Sequence, residues 1–328
     1  NQGVRTSWGV RTQSDLVHPF THLLGSPLDG LVRCDIELRD IAFTGVPEPP
    51  AAAKLRNPER YPAYPLKTGR GAMMTMNRRS FLKAAAAMGA SLAWVGPAHG
   101  SRVRWHERRE LFPQGVASGD PDPHSVILWT RRPFESGTRE LLNVEVAEDE
   151  AFQRVIAHAP VPVSLAADWT ARVLIGGLEP ARTYWYRFTD SDGNGSRVGR
   201  TITAPLPSDP RTVNFAFVSC QDINEGKLNG FRRMIYEDER APEGEQLDFV
   251  LHLGDFIYEV VQYPDEVKTR YDRTIYEVAR IPDGHKVGNF HIPLTVDGYR
   301  AIYKGYLLDP DLQDARARWP FVCIWDNH

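Results

Sequence analysis

Three apolar runs at 213–219, 247–253 and 320–325 most strongly constrain the fold. Each has the length of a strand, and segments long enough for helices separate them. Mostly apolar strands alternating with helices are typical of a parallel sheet that is covered on both faces. The sequence therefore predicts an α/β domain from 211 to 328, with helices at 231–240, 298–306 and 310–318.

Each apolar run ends in side chains that can bind a metal ion. Cys220 follows the first run, Asp255 and Tyr258 follow the second, and Asn327 and His328 follow the third. Ligands of open α/β sheets bind beyond the carboxyl ends of the strands. One such residue is a weak signal, because Gly-Asp after a strand is common. Three successive strand ends of this kind predict a functional site.

The segment 101–205 has a different pattern, with short alternating strands at 125–130, 143–147, 170–175 and 183–188. Strands of this length and spacing, with a turn at 192–195, predict an all-β sandwich. Leu178-Glu179-Pro180 followed by Tyr184-Trp185-Tyr186 resembles a fibronectin type III or immunoglobulin-like sandwich. Its predicted role is structural. The segment 204–210 contains three prolines and is predicted to be a linker.

Residues 73–100 resemble a twin-arginine export signal. Arg78-Arg79 precedes an Ala-rich apolar run, and Ala98-His99-Gly100 has the pattern of a cleavage site. A basic amphipathic helix is the alternative. The signal predicts export through the Tat machinery to the periplasm or the cell exterior. Because such signals stand at the N-terminus, residues 1–72 are predicted to be a disordered, non-native upstream segment.

Charge limits the classes of partner. The chain has a formal net charge of −3, and residues 101–328 carry 27 Lys and Arg against 35 Asp and Glu. This part lacks the basic tract that marks a nucleic-acid surface, and nothing after residue 100 has the length and hydropathy of a membrane span. Binding phosphate would require concentrated local positive charge, for which metal ions are the obvious source.

The strand-end motifs resemble those of a known family. Gly254-Asp255-x-x-Tyr258 and Asp326-Asn327-His328 look like variants of metallophosphoesterase motifs. With Ser219-Cys220-Gln221, and with the segments 115–121 and 303–307, they resemble the PhoD-type alkaline phosphatase/phosphodiesterase family. The resemblance implies a metallophosphatase-type sheet sandwich after the β domain. It also implies an exported, metal-dependent hydrolase of small-molecule or polymeric phosphate esters.

The residue types also indicate which metals bind. Asp255 is the candidate bridging carboxylate, and a Cys220 thiolate with a Tyr258 phenolate suits Fe(III) better than Mg(II). The resemblance implies Fe(III) with Ca(II) as its oxygen-liganded neighbour, and another divalent ion is an alternative. Asn327 would offer its amide oxygen to the second metal. His328 would lie near the leaving group, as an acid or a phosphate anchor.

Each of these residues has a structural alternative. Cys220 could form a disulfide with Cys323, Tyr258 could be an ordinary core or groove aromatic, and Asp255 could cap the next helix. His252, two residues inside the second strand, is predicted to be a core histidine with satisfied hydrogen bonds.

Residues around the motifs are harder to interpret. Gln221, Asp222 and Asn224 either support the ligands or form a solvated loop. The long insert that contains Arg270, Arg273 and His291 could cover the site, but the sequence does not place these side chains.

The superfamily's later His and Asp ligands do not follow His328, and a half sheet would expose apolar edges. The sequence therefore predicts an incomplete α/β domain, truncated after the Trp-Asp-Asn-His motif, that is catalytically dead or nearly so. Two alternative functions stay open. One is a non-catalytic exported β-sandwich binding module. The other is a purple-acid-phosphatase-like Fe–Zn or Fe–Mn enzyme, although a carboxylate is expected there in place of Cys220.

Overall fold

The computed structural model describes residues 91–135, 137–324 and 328. The predictions for 1–72, for the export signal up to residue 90 and for Asn327 lie outside the described residues. Within the part of the chain that is described, no helix has the length and apolar character needed to cross a membrane.

A seven-stranded sheet runs through most of the described chain. Its strands, in spatial order, are β1 (Ser91–Trp94), β7 (Thr170–Gly176), β4 (Ser125–Arg131), β3 (Val116–Asp122), β17 (Pro320–Cys323), β12 (Phe249–His252) and β11 (Phe215–Val218). The three strands predicted from the apolar runs are β11, β12 and β17. They pair in parallel, with Val218 opposite His252 and His252 opposite Cys323. The prediction of a parallel sheet at 213–325 is confirmed for these strands.

The parallel strands continue directly into strands of the preceding β segment. Pro320 of β17 lies opposite Ser118 of β3, and Phe321 lies opposite Gly119. From β3 onwards, the pairs with β4 and between β4 and β7 are antiparallel. An edge strand offers unpaired N–H and C=O groups, and this pairing satisfies some of them on β17 and β3.

A second sheet packs against the antiparallel part of the first. It contains β2 (His106–Glu107), β9 (Asn194–Gly195), β8 (Thr183–Thr189), β5 (Arg139–Ala147) and β6 (Val155–Ser164), and β10 (Gly199–Ile202) pairs with β8. The core between the sheets contains fully buried Leu128, Val144 and Tyr186. Every second residue of β4 is buried, as the period of a strand requires. The predicted short strands are confirmed, and the fibronectin-like topology stays a prediction.

Three helices follow the linker: α1 (Asn229–Asp238), α2 (Val296–Tyr306) and α3 (Pro310–Arg318). Their starts follow from local chemistry. Thr295 caps α2 by accepting from Gly298 N, and Asp309 caps α3 by accepting from Asp311 N and Leu312 N. Pro310 stands at the first helical position, where its missing N–H is harmless.

Helices α1 and α3 cover one face of the parallel strands. Phe231 of α1 and Leu312 of α3 share a buried cluster with Val250 of β12. On the same strands, Phe217 is 63% exposed and Ile324, just after β17, is 51% exposed. The prediction that both faces are covered is therefore wrong for the described residues, because no described helix or strand packs over these side chains.

The insert between β12 and α2 forms two small hairpins. They pair β13 (Thr269–Arg270) with β14 (Arg273–Thr274) and β15 (His285–Val287) with β16 (Phe290–Ile292). The insert packs on α2 through a separate cluster that includes Val261, Ile281 and Ile302.

Candidate metal centre

The loops after β11 and β12 have matching backbones at the carboxyl edge of the sheet. Cys220 and Asp255 both adopt left-handed conformations, with φ of 54° and 50°. Such a conformation costs a non-glycine residue roughly 1 kcal/mol or more, so the surroundings must hold it. Two hydrogen bonds between the loops do so: Cys220 N donates to Gly254 O (3.3 Å) and Gln221 N donates to Asp255 O (3.2 Å).

Two predicted metal-binding side chains contact the carboxylate of a third. Cys220 Sγ donates to Asp255 Oδ2 at 3.4 Å, and the Tyr258 hydroxyl donates to the same oxygen at 3.2 Å. Asp255 is only 7% exposed. Burial raises the pKa of Tyr258, and the adjacent Cys220 and Asp255 raise it further. The structure therefore groups a thiol, a carboxylate and a phenol, which we call the candidate metal centre.

His328 reaches this group from the end of the third apolar run. Its backbone N donates to Asp255 Oδ1 (3.4 Å), and its ring lies 4.5 Å from the Tyr258 ring centroid. The His328 Nδ1 pairs with Glu259 Oε2 at 2.9 Å. Sequence reasoning assigned no role to Glu259, although it directly follows Tyr258 in the motif.

A buried tyrosine on α2 holds the loop that carries Tyr258. The backbone N of Tyr258 donates to the Tyr306 hydroxyl (3.0 Å), which donates to Asp222 Oδ1 (3.4 Å). Asn224 N also donates to Asp222 Oδ1 at 2.8 Å. Burial raises the pKa of Asp222, with the Asn224 hydrogen bond acting against it. The segment 303–307 is one of those that carry the family resemblance, but no contact of Tyr306 could be predicted from it.

Comparison with known proteins shows the family of the chain. A family model described as the N-terminal domain of PhoD-like phosphatases matches residues 98–205, and the PhoD-like phosphatase model matches residues 215–328. The chain belongs to the PhoD-like phosphatase family. The second match contains every residue of the candidate metal centre.

Two known proteins show how much of a PhoD-like phosphatase this chain spans. It is 34% identical over 225 residues to alkaline phosphatase D of Bacillus subtilis (strain 168). The aligned region covers 66% of this chain and 35% of that protein. A solved structure of PhoD matches with a TM-score of 0.54 and 31% identity, over 67% of this chain and 40% of that one. The chain thus spans about a third of the length of its curated relative.

The loop after β11 in this PhoD-like chain is anchored and not solvated. Gln221 and Asn224 are 6% and 4% exposed. Gln221 Nε2 donates to Phe256 O at 2.9 Å. The Asn224 amide bonds both the N–H (2.7 Å) and the C=O (2.9 Å) of Gln262, and it also donates to Tyr276 O. The solvated-loop alternative is therefore wrong for Gln221 and Asn224.

The insert brings Arg270 to the edge of the site. Arg270 Nη1 pairs with Glu225 Oε1 at 3.0 Å, and its charge acts to lower the pKa of Asp222 against the effect of burial. His291 lies farther out, stacked on Tyr263 at 3.8 Å. The sequence could not place these insert residues. In the structure Arg270 lies next to the loop after β11, and Arg273 is exposed.

Two structural alternatives are also settled. Cys220 and Cys323 are both free, so the disulfide alternative is wrong. His252 is fully buried as predicted, but neither of its ring nitrogens bonds to any residue that the structure describes, so the prediction of satisfied bonds is wrong for these residues. Its ring packs on Phe256 at 4.9 Å, and burial lowers its pKa to about 4.

The protein donors at the centre are few. Within the described residues, no three His, Cys, Asp or Glu side chains are grouped as for a metal ion. The grouping found here depends on Tyr258, and the predicted ligand Asn327 lies outside the described residues. The roles of Cys220, Asp255, Tyr258 and His328 as ligands or catalytic groups stay predictions.

Proposed function

We propose that this chain contributes part of the active site of a metal-dependent phosphoric ester hydrolase, a phosphatase or phosphodiesterase. The observation that carries the proposal is the approach of Cys220 Sγ and the Tyr258 hydroxyl to one oxygen of Asp255, at 3.4 and 3.2 Å. Membership of the PhoD-like phosphatase family supports it.

The donor set fits the metals that the family resemblance implies. The protons of Cys220 and Tyr258 both lie toward Asp255 Oδ2, and replacing them with a cation would leave a thiolate, a phenolate and a carboxylate around it. Such anionic donors suit Fe(III), and Ca(II) would take oxygen donors such as Asp255 and Asn327. When bound, two cations would neutralise the phosphate charge and supply hydroxide near neutral pH.

The chain's own residues would orient the phosphate ester and protonate its leaving group. The two Asp255 oxygens face different groups, since Oδ2 contacts Cys220 and Tyr258 while Oδ1 faces the backbone of His328. A carboxylate in that position can bind two metal ions, one through each oxygen. The Glu259 carboxylate lies 2.9 Å from His328 Nδ1 and orients the imidazole ring. A protonated His328 could donate a proton to the leaving alcohol or anchor the phosphate.

Metal binding by the purified chain tests the proposal without depending on turnover. Titration with Fe(III) should produce a visible phenolate-to-iron absorption band. Tyr258→Phe should abolish the band, and Cys220→Ala should lower iron content measured by elemental analysis. Tyr236→Phe, an exposed tyrosine of α1, is the control and should leave both unchanged. Equal iron content in the chain and in Cys220→Ala would remove Cys220 from the site.

Turnover of p-nitrophenyl phosphate and bis-p-nitrophenyl phosphate tests the reaction itself. We expect any hydrolysis to require added metal and to be lost in Asp255→Asn. Glu237→Ala, on exposed α1 surface, should leave the rate unchanged. Hydrolysis that persists in excess chelator would contradict the proposed mechanism, and calcium dependence would separate it from a purple-acid-phosphatase-like centre.

We also propose export through the Tat pathway, on the basis of the sequence pattern at 73–100. Cleavage after Gly100 would remove β1, which pairs with β7 from Ser91 opposite Val173 to Trp94 opposite Gly176. Replacing Arg78-Arg79 with Lys-Lys should retain the protein in the cytoplasm on cell fractionation. Unchanged export of the double variant would refute this route.

A further inference from the structure

A groove runs along the antiparallel part of the large sheet and reaches Phe256, the neighbour of Asp255 in the chain. It has a volume of about 1190 Å³ and is lined by β3, β4 and β7, and by residues of α2 and α3. Phe256, which follows Asp255, and Ile324, which follows β17, both line it. The groove therefore opens toward the carboxyl edge where the predicted ligands lie.

The lining of this groove is strongly basic, although the chain has a net charge of −3. Among the described residues, two acidic ones line it, Asp120 and Asp168, against six basic ones: Arg131, Arg139, Arg172, Arg300, Lys304 and Arg316. Arg131 and Lys304 both pair with Asp168, at 2.9 and 3.4 Å. The remaining positive charge is concentrated in a concave surface, which attracts anions more strongly than the same charge spread over a convex one.

Arg316 is the most unusual of these residues. Its guanidinium lies 4.9 Å from the Trp129 ring centroid, and its buried Nη1 has no hydrogen-bond acceptor within the described part of the chain. No described residue forms an ion pair or hydrogen bond with it, whereas Arg318 on the same helix pairs with Asp238 at 2.7 Å. Burial lowers the pKa of Arg316 to about 10. Arg316 as a whole is partly exposed, but a cation with a buried guanidinium nitrogen and no counter-charge among the described residues is destabilising unless something else supplies the negative charge.

Two buried hydroxyls lie next to Arg316 and next to each other. Ser118 is 3% exposed and Tyr186 is fully buried, and apart from their mutual contact neither hydroxyl has a hydrogen-bond partner among the described residues. Burial raises the pKa of Tyr186, while nearby Arg316 and Ser118 act to lower it, so the three groups are neighbours. The cluster thus offers several donors and no carboxylate. An oxyanion would supply both acceptor oxygens and negative charge, and guanidinium groups bind such anions in a planar, two-bond geometry.

We propose that Arg316, with Ser118 and Trp129 beside it, forms a second oxyanion-binding site. It would bind a phosphate-type anion, either free inorganic phosphate or the phosphoryl group of an ester. This site is separate from the candidate metal centre and needs no metal. An anion bound there would lie in the groove that leads to Phe256 and the loop of Asp255.

Anion-dependent thermal unfolding of the purified full chain tests this site. The melting temperature is measured in chelator at constant ionic strength, with chloride, inorganic phosphate or dimethyl phosphate as the anion. Binding to the folded state alone raises the melting temperature with ligand concentration. We expect phosphate or the diester to raise it above the chloride value. The larger of the two shifts identifies which source of the anion the site prefers.

Arg316→Met should abolish the shift, and Arg233→Met on exposed α1 should retain it. Because Arg316 has no ion pair with a described residue, its replacement breaks no salt bridge there, and Arg316→Met should melt in chloride at or above the temperature of the unmodified chain. If that variant fails to fold, Arg316→Lys and Ser118→Ala replace it, and both should reduce the shift. No anion-specific shift in the unmodified chain, or a full shift in the Arg316 variants, would overturn the proposal.

Asp255→Asn separates this site from the proposed hydrolase function. The variant should lose iron binding and keep its phosphate-dependent stabilisation, because the Arg316 cluster does not include Asp255. Loss of both properties in a folded Asp255→Asn chain would show that phosphate binds at the candidate metal centre, and it would refute the second site.

Discussion

Tyr306 and Tyr258 are linked by a hydrogen bond of 3.0 Å, from the backbone N of Tyr258 to the phenolic oxygen of Tyr306. Tyr306 is fully buried, and its hydroxyl donates in turn to Asp222 Oδ1. Burial raises the pKa of Tyr306, so its proton is retained for that bond. One side chain of α2 therefore connects the loops after β11 and β12, which carry the predicted ligands.

Replacing Tyr306 with Phe should loosen both loops. The change leaves the Tyr258 N–H without its acceptor, which costs about 1–3 kcal/mol for a buried group. We expect a lower free energy of unfolding in urea and weaker Fe(III) binding. Tyr303→Phe, on the same helix but 41% exposed, is the control and should change neither. Iron affinity equal to that of the unmodified chain would show that Tyr306 does not position Tyr258.

Asn224→Ala should release the insert from the loop after β11. The Asn224 amide makes three hydrogen bonds to the backbones of Gln262 and Tyr276. Losing them should cost about 1–3 kcal/mol and open the insert locally. Limited proteolysis should then cut within 259–294 faster than in the unmodified chain. Asn289→Ala, at an exposed hairpin turn, is the control, and equal cleavage rates in all three proteins would contradict the expectation.

His252 should make stability depend on pH in the metal-free chain. Its folded pKa of about 4 lies below the ordinary value of 6.5 because the ring is buried. Between these values the unfolded chain binds a proton that the folded chain does not. Stability is therefore fully present above pH 6.5 and falls as the pH drops toward 4, by on the order of 3 kcal/mol at most. Urea unfolding of His252→Leu between pH 7.5 and 4.5 should show a shallower slope (roughly one group fewer titrating). The exposed variant His158→Gln is the control and should keep the pH dependence of the unmodified chain. The same pH dependence in His252→Leu as in this control would contradict the prediction.

Breaking the buried ion pair of the second sheet should lower the free energy of unfolding more than breaking an exposed pair. Arg187 Nη2 lies 2.8 Å from Glu145 Oε2, and both side chains are less than a tenth exposed. Glu145→Ala leaves the guanidinium buried without its partner, which should cost about 3–5 kcal/mol. Glu237→Ala breaks an exposed pair with Arg233 and should cost about 1 kcal/mol or less. Equal shifts in the urea midpoints of the two variants would refute this ranking.

The starts of helices and the positions of strands were predicted well from local sequence patterns. The predicted helix 310–318 is Pro310–Arg318 in the structure, because the Asp309-Pro310 cap and the following apolar period act within a few residues. The predicted strand at 183–188 is likewise Thr183–Thr189. Even the grouping of Cys220 with Asp255 followed from the sequence, since parallel strands bring their carboxyl ends to one edge.

Contacts between distant residues could not be predicted in the same way. The Tyr258–Tyr306 bond, the Asn224–Gln262 bonds and the pairing of β3 with β17 each join segments far apart in the chain. The sequence also could not predict that, among the described residues, Arg316 Nη1 and the His252 ring nitrogens lack hydrogen-bond partners. Whether a buried group finds a partner depends on its neighbours in space.

The sequence by itself determined the parallel strands, the polar residues at their ends and the family resemblance, because periodicity and turn chemistry act over a few residues. Only the tertiary structure decided that Tyr306 supports Tyr258, that the buried His252 ring bonds to no described residue, and that Arg316 lies in a basic groove without an ion pair to the described residues. Burial and hydrogen bonding depend on which surfaces pack together, and packing is a property of the whole fold.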